Sequence, residues 1–128
     1  MSDNTAMYFD FDHMERLGAR SHSFDAGEKI FLQNEHGNVL YVVRTGRVEV
    51  ITFGKVLEKV GANGIVGEIA FVDGGPRSAA ALASEKTDVM VLDKDAFSAI
   101  IREDPDFALH VMRVMAERLR RLNLVGHH

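Results

Sequence analysis

Cysteine is absent from this 128-residue chain. A disulfide framework and thiolate chemistry are therefore excluded. Positive charge is not in excess either: 15 Lys and Arg stand against 19 Asp and Glu, a formal net charge of −4. The sequence pI is about 5.8. Bulk electrostatics of this sign argue against a nucleic-acid binder. No apolar run approaches the roughly 18 residues of a membrane span, and the N-terminus lacks the basic and apolar regions of a signal peptide. A cytoplasmic protein with no membrane partner is the expectation. Proline occurs only twice, at Pro76 and Pro105, and both positions read as boundaries.

What remains is an ordinary globular composition, 46% hydrophobic and 27% charged. The length suits one domain with a core, and not two. Catalytic groupings are hard to find. His13, His22, His36 and His110 form no His-x-His or His-x-x-x-His strand pair, as a small metal-dependent jelly-roll enzyme would need. His127 and His128 would bind metal only as a purification tag does. Ser21, Ser23 and Ser78 have no evident partner base. Neither a catalytic residue nor a metal site is expected.

Along the chain, residues 1–5 are polar, and a short helical segment is expected at about 8–18, closed by Gly18. Short apolar or alternating runs separated by turn residues fill the stretch from about 24 to 92. Val39 to Val43 is continuously apolar, Arg47 to Thr52 alternates, and Val56 to Val60, Ala79 to Ala83 and Val89 to Leu92 follow. Such spacing predicts a mainly β sandwich or jelly roll. Two helices are expected at about 94–122. Asp93 caps one carrying Ala96, Phe97, Ile100 and Ile101. Pro105 opens the other, with Ala108, Val111, Met112, Met115, Leu119 and Leu122 as one apolar stripe. Residues 1–123 form a single domain in this reading, and 124–128 a tail whose closing His127 and His128 resemble a purification tag.

The most informative stretch is 66–82. Gly67 permits close approach to the backbone. Glu68, Ile69 and Ala70 begin a helix-compatible run whose free N–H groups suit an anion. Asp73-Gly74-Gly75-Pro76 is a turn, from which Arg77 and Ser78 emerge with a guanidinium fork and a hydroxyl. These groups suit a phosphate. Glu68 beside them would repel a highly charged ligand, but it can accept a hydrogen bond from a sugar hydroxyl. A ribose with a singly charged phosphate fits best. The structural alternative has Glu68 complementing a helix dipole and Arg77 pairing with Glu68.

Gly67-Glu68-Ile69-Ala70, five residues, then Pro76-Arg77-Ser78-Ala79 resembles the phosphate-binding cassette of cyclic-nucleotide-binding domains, the family of the bacterial catabolite activator and kinase regulatory subunits. Gly27-Glu28, Tyr41, Gly46 and Val48-Glu49-Val50 extend the resemblance to roughly residues 24–122. It implies a β roll (a double-stranded β-helix) followed by two C-terminal helices. It further implies cAMP or cGMP held by Arg77 and Ser78 on the phosphate and Glu68 on the ribose 2′-hydroxyl. Gly67, Ile69, Ala70 and Ala79 would complete that site. Val50, Leu57, Arg118, Leu122 and Asn123 are the candidate base and lid contacts.

Where the catabolite activator presents hydroxyl residues to adenine, this chain has Leu122 and Asn123, so base selectivity stays open. The chain also stops before the longer helix and helix-turn-helix of the activators, and no DNA binding by this chain alone is expected. The expected function is non-catalytic sensing transmitted through the last helix, with a loosely held homodimer or an effector protein as partner. The alternative is a degenerate domain acting as an interaction module without ligand.

Overall fold

The computed structural model describes residues 9–126, with side chains described for 9–121. The apolar run at 39–43 falls in β3 (Leu40–Thr45), which is packed on both faces from Leu40 to Val43 and exposed at Arg44 and Thr45. Leu40 and Val42 pack toward the helices, while Tyr41 and Val43 pack toward the opposing sheet. That two-sided burial explains why the run is continuously apolar and does not alternate.

Two four-stranded antiparallel sheets form the roll. One has the order β1 (Arg20–Phe24), β8 (Thr87–Leu92), β3, β6 (Ile65–Val66). The other runs β2 (Lys29–Phe31), β7 (Ala80–Ala83), β4 (Val48–Thr52), β5 (Lys55–Val60). Between the sheets lie Val43, Val48, Val60, Val66 and Ala81. A second cluster joins the outer face of the β3 sheet to the helices through Leu40, Val42, Ile65, Met90, Leu92, Ile100, Phe107 and Val111. The fold is therefore mainly β, a roll followed by two helices, as the patterning implies.

The chain crosses from the first sheet to the second through α2 (Glu68–Asp73), which connects β6 to β7. The stretch 66–82 is thus the bridge between the sheets. α1 (Phe11–Arg16) starts at Asp10, whose carboxylate accepts from the His13 N–H at 3.0 Å. α3 (Lys94–Glu103) starts at Asp93, which accepts from the Ala96 N–H at 2.9 Å. α4 (Pro105–Gly126) follows at once.

Three expectations need correction. The roll begins earlier than residue 24, with β1. Its first four residues, Arg20 to Ser23, are all exposed, so no apolar alternation announces it; it is held by pairing with β8. α4 continues past 122 to Gly126. Its stripe is also seated differently. Phe107 and Val111 are 0% and 1% exposed and Arg118 is 9%, whereas Met112 and Leu119 are 50% and 43% exposed. Phe107, left out of the expected stripe, takes the core position at the helix start. At about 100° per residue, that choice turns Met112 and Leu119 outward.

Candidate functional site

Gly67 caps α2 in a left-handed conformation, φ 81°. A Cβ there would also stand 2.7 Å from Nη1 of Arg77, so both the backbone and the neighbour require glycine. Glu68, Ile69 and Ala70 follow as the first helical turn. Gly74 closes the helix at φ 72°, and the Asp73 carboxylate accepts from the Gly75 N–H at 2.7 Å. The turn thus delivers Arg77 to a fixed place.

Arg77 is pinned on every side. Its N–H donates to the Glu35 carbonyl at 2.8 Å, and its own carbonyl accepts from the Asn34 N–H at 2.8 Å. Nη1 donates to the Gly67 carbonyl and Nη2 to the Val39 carbonyl, both at 2.9 Å. Cζ lies 4.3 Å from the Phe31 ring centroid, a cation–π distance. The residue is 3% exposed, and its Nε has no hydrogen-bond partner among the described residues. Burial lowers its pKa, partly opposed by Tyr41, Glu35 and Glu68.

Glu68 is 1% exposed. Its partner is Arg118 of α4, whose Nη1 donates to Oε1, and not Arg77. The same guanidinium turns its other edge to Glu58 of β5: Nε donates to Oε1 at 2.9 Å and Nη2 to Oε2 at 3.3 Å. Nη1 of Arg121 reaches the same Glu58 Oε1 at 2.7 Å. For Arg118, burial lowers the pKa, but the two carboxylates more than reverse this and raise it. For Glu58, burial raises the pKa, but bonding and charge from Arg118 and Arg121 outweigh it and lower it.

Around these groups is a narrow cleft of about 30 Å³, walled by Phe31, Val50, Val66, Ser78, Ala79 and Arg118 together with Gly67, Glu68, Ile69, Ala70 and Arg77. All seven cassette residues singled out in the sequence therefore meet in one place, with Val50 and Arg118. Leu57 is not among the walls. A β-bulge between Val50 and Ile51 pairs Val50 with Glu58 and Ile51 with Val56, leaving Leu57 as the extra residue. The side chains of Leu122 and Asn123 lie outside the described residues. Phe31, Glu58 and Arg121 carried no motif signal; Glu58 reads in sequence as an ordinary charged strand residue. No group of three His, Cys, Asp or Glu arranged to hold a metal occurs among the described residues.

Two antiparallel sheets bridged by a short helix, with a glutamate and an arginine buried at the bridge, define a β-roll domain with a cleft at that bridge. The chain belongs to the cyclic nucleotide-binding domain family: the family model matches residues 21–104. It is 30% identical over 105 residues to a CRP-like cAMP-activated global transcriptional regulator of Mycobacterium tuberculosis, covering 78% of this chain and 47% of that one. The chain thus spans about half the length of that curated relative. Among solved structures, the Thermus thermophilus catabolite activator protein matches with a TM-score of 0.75 and 30% identity, over 89% of this chain and 55% of that one. A protein solved in connection with a cyclic-GMP-dependent signalling pathway in bacterial phytopathogenesis matches with a TM-score of 0.70 and 26% identity, over 85% and 89% of the two chains.

Proposed function

We propose that this chain is a non-catalytic sensor that binds a purine cyclic nucleotide in the cleft at α2. Arg77 and Ser78 take the cyclic phosphate, the α2 N–H groups support it, and Glu68 accepts from the ribose 2′-hydroxyl. The relatives include a regulator named for cAMP and a protein tied to cyclic GMP, so the class of ligand is a purine nucleoside 3′,5′-cyclic monophosphate.

One observation carries this reading. Arg77 is a buried guanidinium that lines the cleft, and its Nε has no hydrogen-bond partner among the described residues. An unsatisfied buried donor costs about 1–3 kcal/mol, more when charged. A phosphate oxygen would satisfy it and return that energy as affinity.

Small-molecule pockets span roughly 300–1,000 Å³, and the cleft has about 30 Å³. Entry of a nucleotide therefore requires the cleft to widen, and in this reading the Arg118 side chain, which walls it and holds Glu68, gives way. Ligand would then shift the population of α4 positions, which is the signal. The Arg118–Glu68 pair also satisfies Glu68 without any ligand, and this favours the second reading, an interaction module that binds no nucleotide. Isothermal titration of the chain with cAMP and with cGMP separates the two. Saturable binding of either supports the sensor, and no heat and no rise in melting temperature with either overturns it.

A further inference from the structure

Regular alternation along Lys29-Ile30-Phe31 would send Phe31 to the same side as the exposed Lys29. The β2–β7 register shifts between them: Lys29 is opposite Leu82, and Phe31 is opposite Ala81. This bulge turns Ile30 and Phe31 inward together, and both pack on the cluster between the sheets. The Phe31 ring then stacks on Tyr41 of β3, with centroids 5.9 Å apart and 29° between the planes. A Cβ on Gly67 would stand 3.2 Å from its Cε2, so the ring also lies against the start of α2. An aromatic surface thus underlies the cleft, and Phe31 is one of the cleft walls.

We propose that Phe31 is a positioning residue for the cyclic phosphate: its ring face sets the tilt of the Arg77 guanidinium, and with it the direction of Nε–H. The inference rests on the cyclic-nucleotide reading given above. Nη1 and Nη2 of Arg77 already donate to the Gly67 and Val39 carbonyls. Those two bonds fix a line through the fork and leave rotation about that line open. A ring lying against one face of the guanidinium closes that freedom. Cζ is 4.3 Å from the Phe31 centroid and 5.9 Å from that of Tyr41, so Phe31 makes the contact and Tyr41 backs it. Nε has no partner among the described residues, and it is the nitrogen whose direction the tilt decides. The attraction is electrostatic, between the ring quadrupole and the cation. An aliphatic side chain of similar bulk fills the space without supplying it. A guanidinium free to tilt presents its N–H correctly in only a fraction of molecules, and apparent affinity falls by that fraction.

The test is titration with cAMP and cGMP of the parent, of Phe31→Leu, and of proteins carrying mono-, di- or trifluorinated phenylalanine at position 31. Ligand-free melting temperatures are recorded alongside. Fluorination drains the negative ring face and nearly keeps the ring's shape. A cation–π contact at a half-buried site corresponds to about 3- to 30-fold, so Phe31→Leu should weaken binding by a factor in that range. Both nucleotides should weaken alike, because the phosphate is common to them. The fluorinated rings should weaken binding in order of fluorine number, with Phe31→Leu as the limit. Fluorinated proteins that bind as the parent does overturn the assignment, since that is the result of a ring that only fills space. So does a Phe31→Leu protein within twofold of the parent, or a loss confined to one nucleotide, which would mark a base contact. The fluorinated series decides the matter by itself where Phe31→Leu fails to fold. A parent that binds neither nucleotide overturns the cyclic-nucleotide reading and this inference with it. A parent that binds and is indifferent to the ring overturns this inference alone.

Discussion

Gly37 lies against Arg77 so closely that a Cβ on residue 37 would stand 2.6 Å from the guanidinium Cζ and 2.5 Å from Nε. Gly37 is not among the positive-φ glycines, so its backbone does not demand glycine; the guanidinium does. Gly37→Val should push the Arg77 fork from its two carbonyls and weaken nucleotide binding about tenfold or more, as loss of one charged hydrogen bond would. In an Arg77→Ala background the same change should have almost no effect on affinity. Titration of the single and double variants checks this coupling.

Arg77→Ala removes the proposed phosphate contact and both carbonyl contacts. Losing one partner of a buried charge pair costs about 2–5 kcal/mol, or roughly 30-fold to several thousand-fold in affinity. Arg77→Lys should recover only part, since an ammonium cannot reproduce the planar fork. Because Nη1 and Nη2 hold Gly67 and Val39, the ligand-free protein should also melt lower. Calorimetry without ligand measures that share separately. An Arg77→Ala protein that is folded and binds within threefold of the parent would contradict the phosphate assignment.

Arg118→Ala should be strongly destabilising, by about 3–5 kcal/mol, because it strands the buried Glu68 carboxylate. Arg118→Met combined with Glu68→Gln should recover most of that loss, since neither residue then leaves an uncompensated charge. Urea unfolding of the three proteins measures the difference.

The Glu58 carboxylate is held below its ordinary value of 4.5 by Arg118 and Arg121, which overcome the effect of burial. A depressed folded-state pKa means the folded protein favours the ionised form. Its stabilisation is complete above about pH 4.5 and fades as pH falls through the lower folded value. Glu58→Gln should therefore melt lower at neutral pH, by the equivalent of about 1–2 kcal/mol for a partly exposed pair. The gap to the parent should close toward pH 3. Thermal melts across pH 3–8 test the sign.

On α4, Phe107→Ala should cost about 3–5 kcal/mol, because Phe107 is fully buried between α3 and the roll. Leu119→Glu should change stability by no more than about 0.5 kcal/mol, since Leu119 faces outward. Leu109, Met112 and Leu119 form an exposed apolar row, the surface a loosely held homodimer would use. Sedimentation at several concentrations should show any self-association weakened by Leu119→Glu.

The cassette was legible because its chemistry is local: glycine, carboxylate, turn and arginine at fixed spacing define one bridge. The strands buried on both faces were legible from their unbroken apolar runs. β1 was not, because an exposed edge strand such as Arg20–Phe24 carries no apolar period and exists only through its partner. Leu57 is absent from the cleft walls because a bulge sets Glu58, and not Leu57, opposite Val50, and a bulge leaves no mark in residue types. The seating of α4 was ambiguous for a similar reason. Val111 fits both stripes, and only the packing of Phe107 decides between them.

The two attachments of α4 differ in kind, and their separation gives the helix leverage. Phe107 and Val111 are wedged into the core, while Arg118 is tied by ion pairs further along the same face. Seven residues from Val111 to Arg118 span about 10 Å. A tilt of about 10° at the apolar pivot therefore carries the guanidinium through ~2 Å, enough to break its hydrogen bonds while the core contacts merely roll. The end of the helix, twice as far out, would sweep about 4 Å. A change the size of one hydrogen bond inside the cleft would thus emerge at the helix terminus as a displacement the size of a side chain.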